Sequence, residues 1–314
     1  MILPNKMACS SVAFNAAVPF STGGTPTTGL ADRSGGDARI EHVDANADGA
    51  GALDALRWPP KLDLFGVQVS ATDYAEATEL ILDAARRRTP AVVSLHAAHA
   101  VVTASRDPAL LEKVNQFQMV APDGQPVRWA LNLLYRAGLR DRVYGPELML
   151  RLCKGAAERQ VPIYLYGSTE GVLEALRSHL CARYPGLQVV GAESPPFRAL
   201  AADEEDAVVR RINESGAGIV FVGLGCPKQD HFAHGIHRRV RAVLVCVGAA
   251  FDFHAGAKPM APRWMQRMGV EWAYRLCCEP GRLWRRYLVT NTLFLGKFTA
   301  VFLRRGWAFF SERA

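Results

Sequence analysis

The chain has 314 residues, 49% of them hydrophobic, which allows one large α/β domain with a tail or two small domains and a sizeable core. Its seven cysteines are scattered and form no C-x-x-C pair, which excludes a zinc site or thioredoxin-like motif and reads as reduced thiols in a cytosolic protein. The net charge is +7, yet 258–314 holds 11 Lys or Arg against 3 Asp or Glu, so the excess sits at the C-terminus and implies an anionic partner: phosphate, nucleic acid or an acidic membrane face.

Residues 1–57 are rich in Gly, Ala, Ser, Thr and Asp and lack helical or strand periodicity, so a disordered leader is expected there. The first residues lack a basic stretch followed by a clean apolar run, and no signal peptide is expected. Asp44-Ala-Asn46-Ala-Asp48-Gly49 opens like a calcium loop, but Ala55 stands where a bidentate Glu is required. No calcium site is expected.

From Leu62 onward short apolar runs alternate with helical stretches. Strands are expected over 91–95, 118–121, 162–166, 188–190, 219–222 and 242–247. Helices are expected over 74–87, 109–115, 145–160, 171–183 and 203–215. Such alternation argues for an α/β fold, a mostly parallel sheet with helices on both faces, occupying 58–257. Ligands of such sheets sit beyond the carboxyl ends of the strands. The loops there read Ser94-Leu95-His96, Pro122-Asp123-Gly124, Tyr166-Gly167-Ser168, Gly223-Leu224-Gly225-Cys226-Pro227-Lys228 and Gly248-Ala249-Ala250-Phe251-Asp252.

Several chemistries are absent from these loops. Gly223-x-Gly225-x-x-Lys228 replaces the third glycine of a dinucleotide fingerprint with lysine, and there is no phosphate-loop G-x-x-x-x-G-K-[ST]. No G-x-S-x-G elbow and no Asp-x-Asp metal pair occurs. Gly223 and Gly225 permit sharp turns whose N–H groups bind phosphate oxygens, with Lys228 adding charge. Gly167-Ser168 precedes a helix, where the dipole also favours anions. Each could equally be an ordinary strand-to-helix turn, but two on one edge suit a nucleotide pocket. Asp123 and Asp252 are strand-end carboxylates that can act as a general base or simply form a turn. His96 and His99 are candidates to bind polar substrate groups.

The segment 258–314 reads as a basic and aromatic appendage. Arg275, Arg282, Arg285 and Arg286 alternate with Trp272, Tyr274, Trp284 and Tyr287; arginine suits phosphate, and Trp and Tyr suit the membrane interface. Leu293, Phe294, Phe298, Val301 and Phe302 recur at helical spacing, as in a helix lying on a membrane or packing on the body. The run 288–303 contains Asn291, Gly296 and Lys297 and falls short of the ~18 to 20 apolar residues of a spanning helix. The tail holds no recognised nucleic-acid module, so nucleic acid is not expected as a partner.

Taken in order, Asp123-Gly124, Arg142-Val-x-Gly145, Gly167-Ser168, Gly223-x-Gly225-x-Pro227-Lys228-Gln229, Val247-Gly248-Ala-Ala-Phe251-Asp252, Ala261-Pro262-x-Trp264 and Gly269-x-Glu271-Trp272-x-x-Arg275-Leu-x-x-Glu279-Pro280-x-Arg282-Leu-x-x-Arg286-Tyr287 resemble the WecG/TagA/CpsF glycosyltransferases. The resemblance spans about residues 62–288. It implies a Rossmann-like, inverting enzyme that needs no metal or cofactor. It also implies a UDP-sugar donor such as UDP-N-acetylmannosamine, an undecaprenyl-diphosphate-linked acceptor, and a peripheral position on the inner face of the plasma membrane. Carried over, Asp123 is the candidate base. Gly124, Gly167, Ser168, Gly223, Gly225, Pro227, Lys228, Gln229, Phe251 and Asp252 border the donor site. Arg275, Arg282, Arg285 and Arg286 would grip diphosphate, and Arg263 is a further substrate-binding candidate. Ser94-Leu95-His96 stands where the family has Thr-x-Asn, Asp230 where it has Glu, and Met260 where it has Arg. These departures lie where donor contacts are expected and motivate a second reading, a non-catalytic module that holds lipid-diphosphate intermediates. Homo-oligomerisation is left open.

Overall fold

The structure, a computed structural model, describes residues 56–311, with side chains to Arg304. The expected leader, apart from Leu56 and Arg57, and the calcium-like loop lie outside the described residues. Strands β1 (Lys61–Leu64) and β2 (Val67–Ser70) form an antiparallel hairpin. Then follow α1 (Tyr74–Arg86), β3 (Ala91–His96), α2 (Ala98–Ala104), α3 (Pro108–Asn115), β4 (Met119–Pro122), α4 (Gln125–Tyr135) and α5 (Gly145–Glu158). Next come β5 (Ile163–Gly167), α6 (Glu170–Arg183), β6 (Val189–Glu193), α7 (Ala202–Glu214), β7 (Ile219–Gly223), α8 (Lys228–Ile236) and β8 (Val243–Cys246). Four helices end the chain: α9 (Ala250–His254), α10 (Arg263–Arg267), α11 (Glu271–Cys278) and α12 (Pro280–Ser311).

All six strands expected from the sequence form one sheet, ordered β4-β3-β8-β7-β5-β6 and parallel throughout. Their β-branched runs (Ala91-Val-Val, Ile219-Val-Phe-Val, Val243-Leu-Val) are buried on both faces, as a covered parallel sheet requires. Val93, Leu165, Phe221 and Val245 pack with α1, α5, α6 and α9. Val92, Tyr166, Val220 and Leu244 pack with α2, α3, α4, α7 and α8 and with the hairpin. Local sequence starts several helices. Asp73 caps α1 by accepting the N–H groups of Ala75 and Glu76, and Asp107 caps α3 ahead of Pro108. Glu204 reaches back to the N–H of Ala201 at 2.8 Å and closes the start of α7.

The last strand in sequence, β8, fills the centre between β3 and β7. Its pairing aligns the carboxyl ends: Ser94 and Val222 both stand opposite Cys246, His96 opposite Pro122, and Gly167 opposite Gly223. One rim therefore collects the loops that follow β3, β4, β5, β7 and β8.

The C-terminal helix packs on the body along one stripe. Leu283, Tyr287 and Phe294 are buried, and the Phe294 ring meets Phe65 of the hairpin edge-on at 5.3 Å. Its other side leaves Trp284, Leu288, Leu295 and Phe302 exposed. The inner stripe packs on the body, and an apolar outer stripe remains exposed. Among the described residues no helix is long and apolar enough to cross a membrane. Phe294→Ala is expected to lower stability by about 2–4 kcal/mol, read by urea unfolding, with faster amide exchange along α12.

Candidate active site

The rim encloses a cleft of about 530 Å³ lined by the loops after β3, β4, β5, β7 and β8 and by residues of α11 and α12. That volume suits a sugar nucleotide. Its floor depends on two glycines. A Cβ on Gly167 would lie 2.7 Å from the Gly223 backbone, and one on Gly223 would lie 2.6 Å from the Phe251 ring. Only glycine lets β5 and β7 end in contact above Phe251. Gly225 turns the next loop at φ 75°, and Cys226-Pro227 leads into α8.

Asp123 follows β4 and is partly exposed on the cleft wall. Burial raises its pKa to about 6; Glu271 pushes the same way, against Arg142, Arg275 and a hydrogen bond from the Gly145 N–H at the start of α5. Arg142 Nη2 lies 2.8 Å from Glu271 Oε2, and Tyr144 Oη donates to Glu271 Oε1 at 2.8 Å. The Arg142 guanidinium also sits 4.2 Å above the Tyr144 ring. Tyr144 is held in turn by its N–H bonding to Tyr74 Oη at 3.0 Å. An acid of intermediate strength thus sits beside a buried ion pair.

Arg275, Arg282 and Arg286 line the same cleft. Arg282 pairs with Glu279 at 2.6 Å, and Glu279 lies 3.8 Å from Lys258. Lys258 bonds Asp252 at 2.7 Å, and Asp252 receives the Ser168 hydroxyl at 3.3 Å. This chain of charges ties the β5 and β8 loops to the start of α12. Arg286 differs. Its nearest charged neighbours are Arg275 and Arg282, no carboxylate faces it among the described residues, and its buried Nε has no partner in the protein. Burial, with Arg275 adding repulsion, lowers its pKa. The Oε1 atoms of Gln125 and Gln229, both buried and both on the cleft, are also unpartnered. Three unmet polar groups on one concave surface, one donor on Arg286 and two amide acceptors, suit a polar ligand that carries both acceptor and donor groups. Among the described residues no cluster of three His, Cys, Asp or Glu could hold a metal ion.

The sequence pattern of the glycosyl transferase WecG/TagA/CpsF family matches residues 62–307. The chain belongs to this family. It is 29% identical over 199 residues to the N-acetylglucosaminyldiphosphoundecaprenol N-acetyl-beta-D-mannosaminyltransferase of Bacillus subtilis (strain 168), covering 63% of this chain and 75% of the relative. The chain is therefore a glycosyltransferase by family.

Of the residues singled out in sequence, His99, Asp123, Gly124, Ser168, Gly223, Gly225, Gln229, Asp252, Arg275, Arg282 and Arg286 line this cleft. Gly167 and Phe251 support its floor from beneath. Lys228, Arg263 and Arg285 are exposed and do not line it, Arg285 lying 5.3 Å over the Trp284 ring; Pro227 precedes α8 outside the lining. Ser94, His96 and Asp230 form a sealed network behind the wall. Ser94 Oγ donates to Asp230 Oδ1 at 2.6 Å, and His96 Nε2 lies 3.5 Å from the same oxygen. Burial opposes ionisation of Asp230, but His96 and the Ser94 and Cys226 side chains outweigh it and hold the pKa below the usual range. The network pins α8 to β3. Two of the departures from the family pattern, His96 and Asp230, thus face each other rather than the ligand.

Sequence reading missed Gln125, Tyr144, Phe197, Glu271 and Trp272 as cleft residues. Gln125 directly follows Asp123-Gly124, and Glu271 stands inside the C-terminal motif, so position alone could have flagged both. Phe197 follows two prolines and projects 87% exposed at the cleft rim.

Folding raises the Asp123 pKa from the usual 3.8 to about 6, so the folded chain binds this proton more tightly than the unfolded chain. Stability is gained as pH falls through about 6, and the ionised carboxylate is a burden above it. Asp123→Asn is expected to stabilise the protein by about 1–3 kcal/mol at pH 8, read as a higher Tm, with the gain shrinking as pH drops below 6.

Proposed function

We propose that the chain transfers N-acetylmannosamine, or a closely related sugar, from a UDP donor to an undecaprenyl-diphosphate-linked acceptor, inverting the anomeric centre. The carrying observation is one cleft lined both by Asp123, a carboxylate of raised pKa, and by Arg286, a half-buried cation with no carboxylate partner among the described residues. Family membership and the named activity of the Bacillus relative support the sugar and the lipid acceptor.

In this reading the acceptor hydroxyl attacks the anomeric carbon as the bond from that carbon to the donor phosphate breaks. Asp123 takes the hydroxyl proton, and UDP leaves with the electron pair. Arg275, Arg282 and Arg286 offset the charge growing on the diphosphate. Gln229 and Gln125 offer their amide groups to sugar or phosphate, and the turns at Ser168 and Gly223–Gly225 border the donor. Phe197 overhangs the same space as an aromatic surface for the base or sugar. The alternative, a non-catalytic binding module, drew on the changes at His96, Asp230 and Met260. The first two are enclosed behind the wall and face each other, which leaves only the exposed Met260 in its favour.

Membrane association fits the outer surface of the C-terminal helices. Trp264, Met268, Trp284 and Leu288 are exposed there amid the basic excess of 258–314. In this reading the enzyme lies on the inner leaflet, where its acceptor would be anchored, and residues 58–257 form the sugar-nucleotide body.

Asp123→Asn is expected to lower transfer by about 10²–10⁴-fold while UDP binding stays within a few-fold, measured with a short-chain lipid-diphosphate acceptor and by calorimetry. Near-normal turnover would remove Asp123 from the role. For the parent protein kcat/KM should fall as pH drops through about 6, since the base must be ionised. Arg286→Ala should weaken UDP binding by about tenfold or more. Replacing Trp264 and Trp284 by serine should cut sedimentation with phosphatidylglycerol vesicles several-fold without changing UDP affinity.

A further inference from the structure

Arg142 stands between two carboxylates and bonds only one. Its Nη2 meets Glu271 Oε2 at 2.8 Å, with both side chains almost wholly enclosed, at 8% and 10% exposure. Glu271 is fixed from its other oxygen by Tyr144 Oη at 2.8 Å, and the guanidinium is fixed from above by the Tyr144 ring at 4.2 Å. Asp123 lines the same cleft wall and feels the Arg142 charge, without a direct bond to it among the described contacts.

We propose that Glu271 is a positioning residue for the base: by engaging Arg142 it keeps the guanidinium from pairing with Asp123, and so keeps that carboxylate able to accept a proton. The inference rests on Asp123 acting as the base. It assigns the C-terminal helices a second task. Besides bringing cations to the diphosphate, α11 sets the strength of an acid that belongs to the sheet.

The physical argument is competition for one cation. A guanidinium released from Glu271 has Asp123 as the other carboxylate within its field. A carboxylate paired with arginine titrates about 1–3 units lower, and a weaker base removes the acceptor proton more slowly. The groups facing Asp123 are few. Arg142, Tyr144 and the Gly145 N–H come from the segment entering α5, Tyr74 from α1, and Glu271 and Arg275 from α11. Arg275 is untouched in the variants below, so its influence is constant.

The test reads the Asp123 proton directly. Protein labelled with ¹³C at aspartate carboxyls is titrated by NMR, with Asp123→Asn assigning the resonance. Glu271→Gln is expected to move the Asp123 midpoint down by about one unit or more, and to carry the acid limb of kcat/KM with it. The double variant Arg142→Gln with Glu271→Gln removes the competing cation and is expected to return the midpoint to the parent value or above. A folded Glu271→Gln protein that loses activity or Tm with the midpoint unmoved has lost only structure, and overturns the proposal. Should Glu271→Gln fail to fold, Tyr144→Phe deletes one of the two bonds to Glu271 and should shift the midpoint the same way by less; no shift there also overturns it. The titration needs no turnover. Normal activity of Asp123→Asn would sink the base assignment, whereas an unmoved midpoint sinks this inference.

Discussion

The ion pair between Arg142 and Glu271 joins residues 129 positions apart, at 2.8 Å and out of water. Burying two charges costs about as much as their attraction returns, so the pair adds little net stability. Removing one partner is another matter, because a lone buried charge costs about 3–5 kcal/mol. The pair therefore acts as a register: α11 docks where Glu271 reaches Arg142 and Tyr144, and poorly elsewhere. The placement of Arg275, Arg282 and Arg286 over the sheet rim follows from that docking and from the stripe Leu283, Tyr287 and Phe294.

Charge is distributed accordingly. Several arginines of the body have carboxylate partners at the surface, such as Arg159 with Glu79 and Arg211 with Glu193. In the cleft, cations outnumber the acids left to pair with them, and Arg286 has none. A diphosphate would complete that balance. Arg142 and Arg275 both act on Asp123 against its burial, while Glu271 engages the Arg142 guanidinium; in the proposed reading one cleft holds both an anion site and the base.

Much of the fold was legible because the six sheet strands are β-branched runs bounded by turn residues, and Asp73, Asp107 and Pro108 mark helix starts. The hairpin was not, because each arm has four residues and its burial depends on α3 and α12. Helices α2 and α4 hid within the loops searched for ligands. At the site, the loops after the strands were identified correctly as the rim, but which way each side chain faces was not. Ser94 and His96 share a strand face with Val92, which packs into the core, whereas Leu95 between them borders the cleft. Asp230 sits on the buried side of α8, one residue beyond Gln229, whose amide reaches the cleft. Arg142 and Glu271 were present in the motifs, yet a contact over so long a separation is visible only once the chain is folded.

The account requires that acid and diphosphate share one cleft. The most direct test is a structure of the protein with UDP and an acceptor analogue bound. The account expects diphosphate oxygens within hydrogen-bonding distance of Arg286, and the acceptor hydroxyl within such distance of an Asp123 oxygen. A diphosphate bound away from Arg286, or an acceptor hydroxyl out of reach of Asp123, would contradict it.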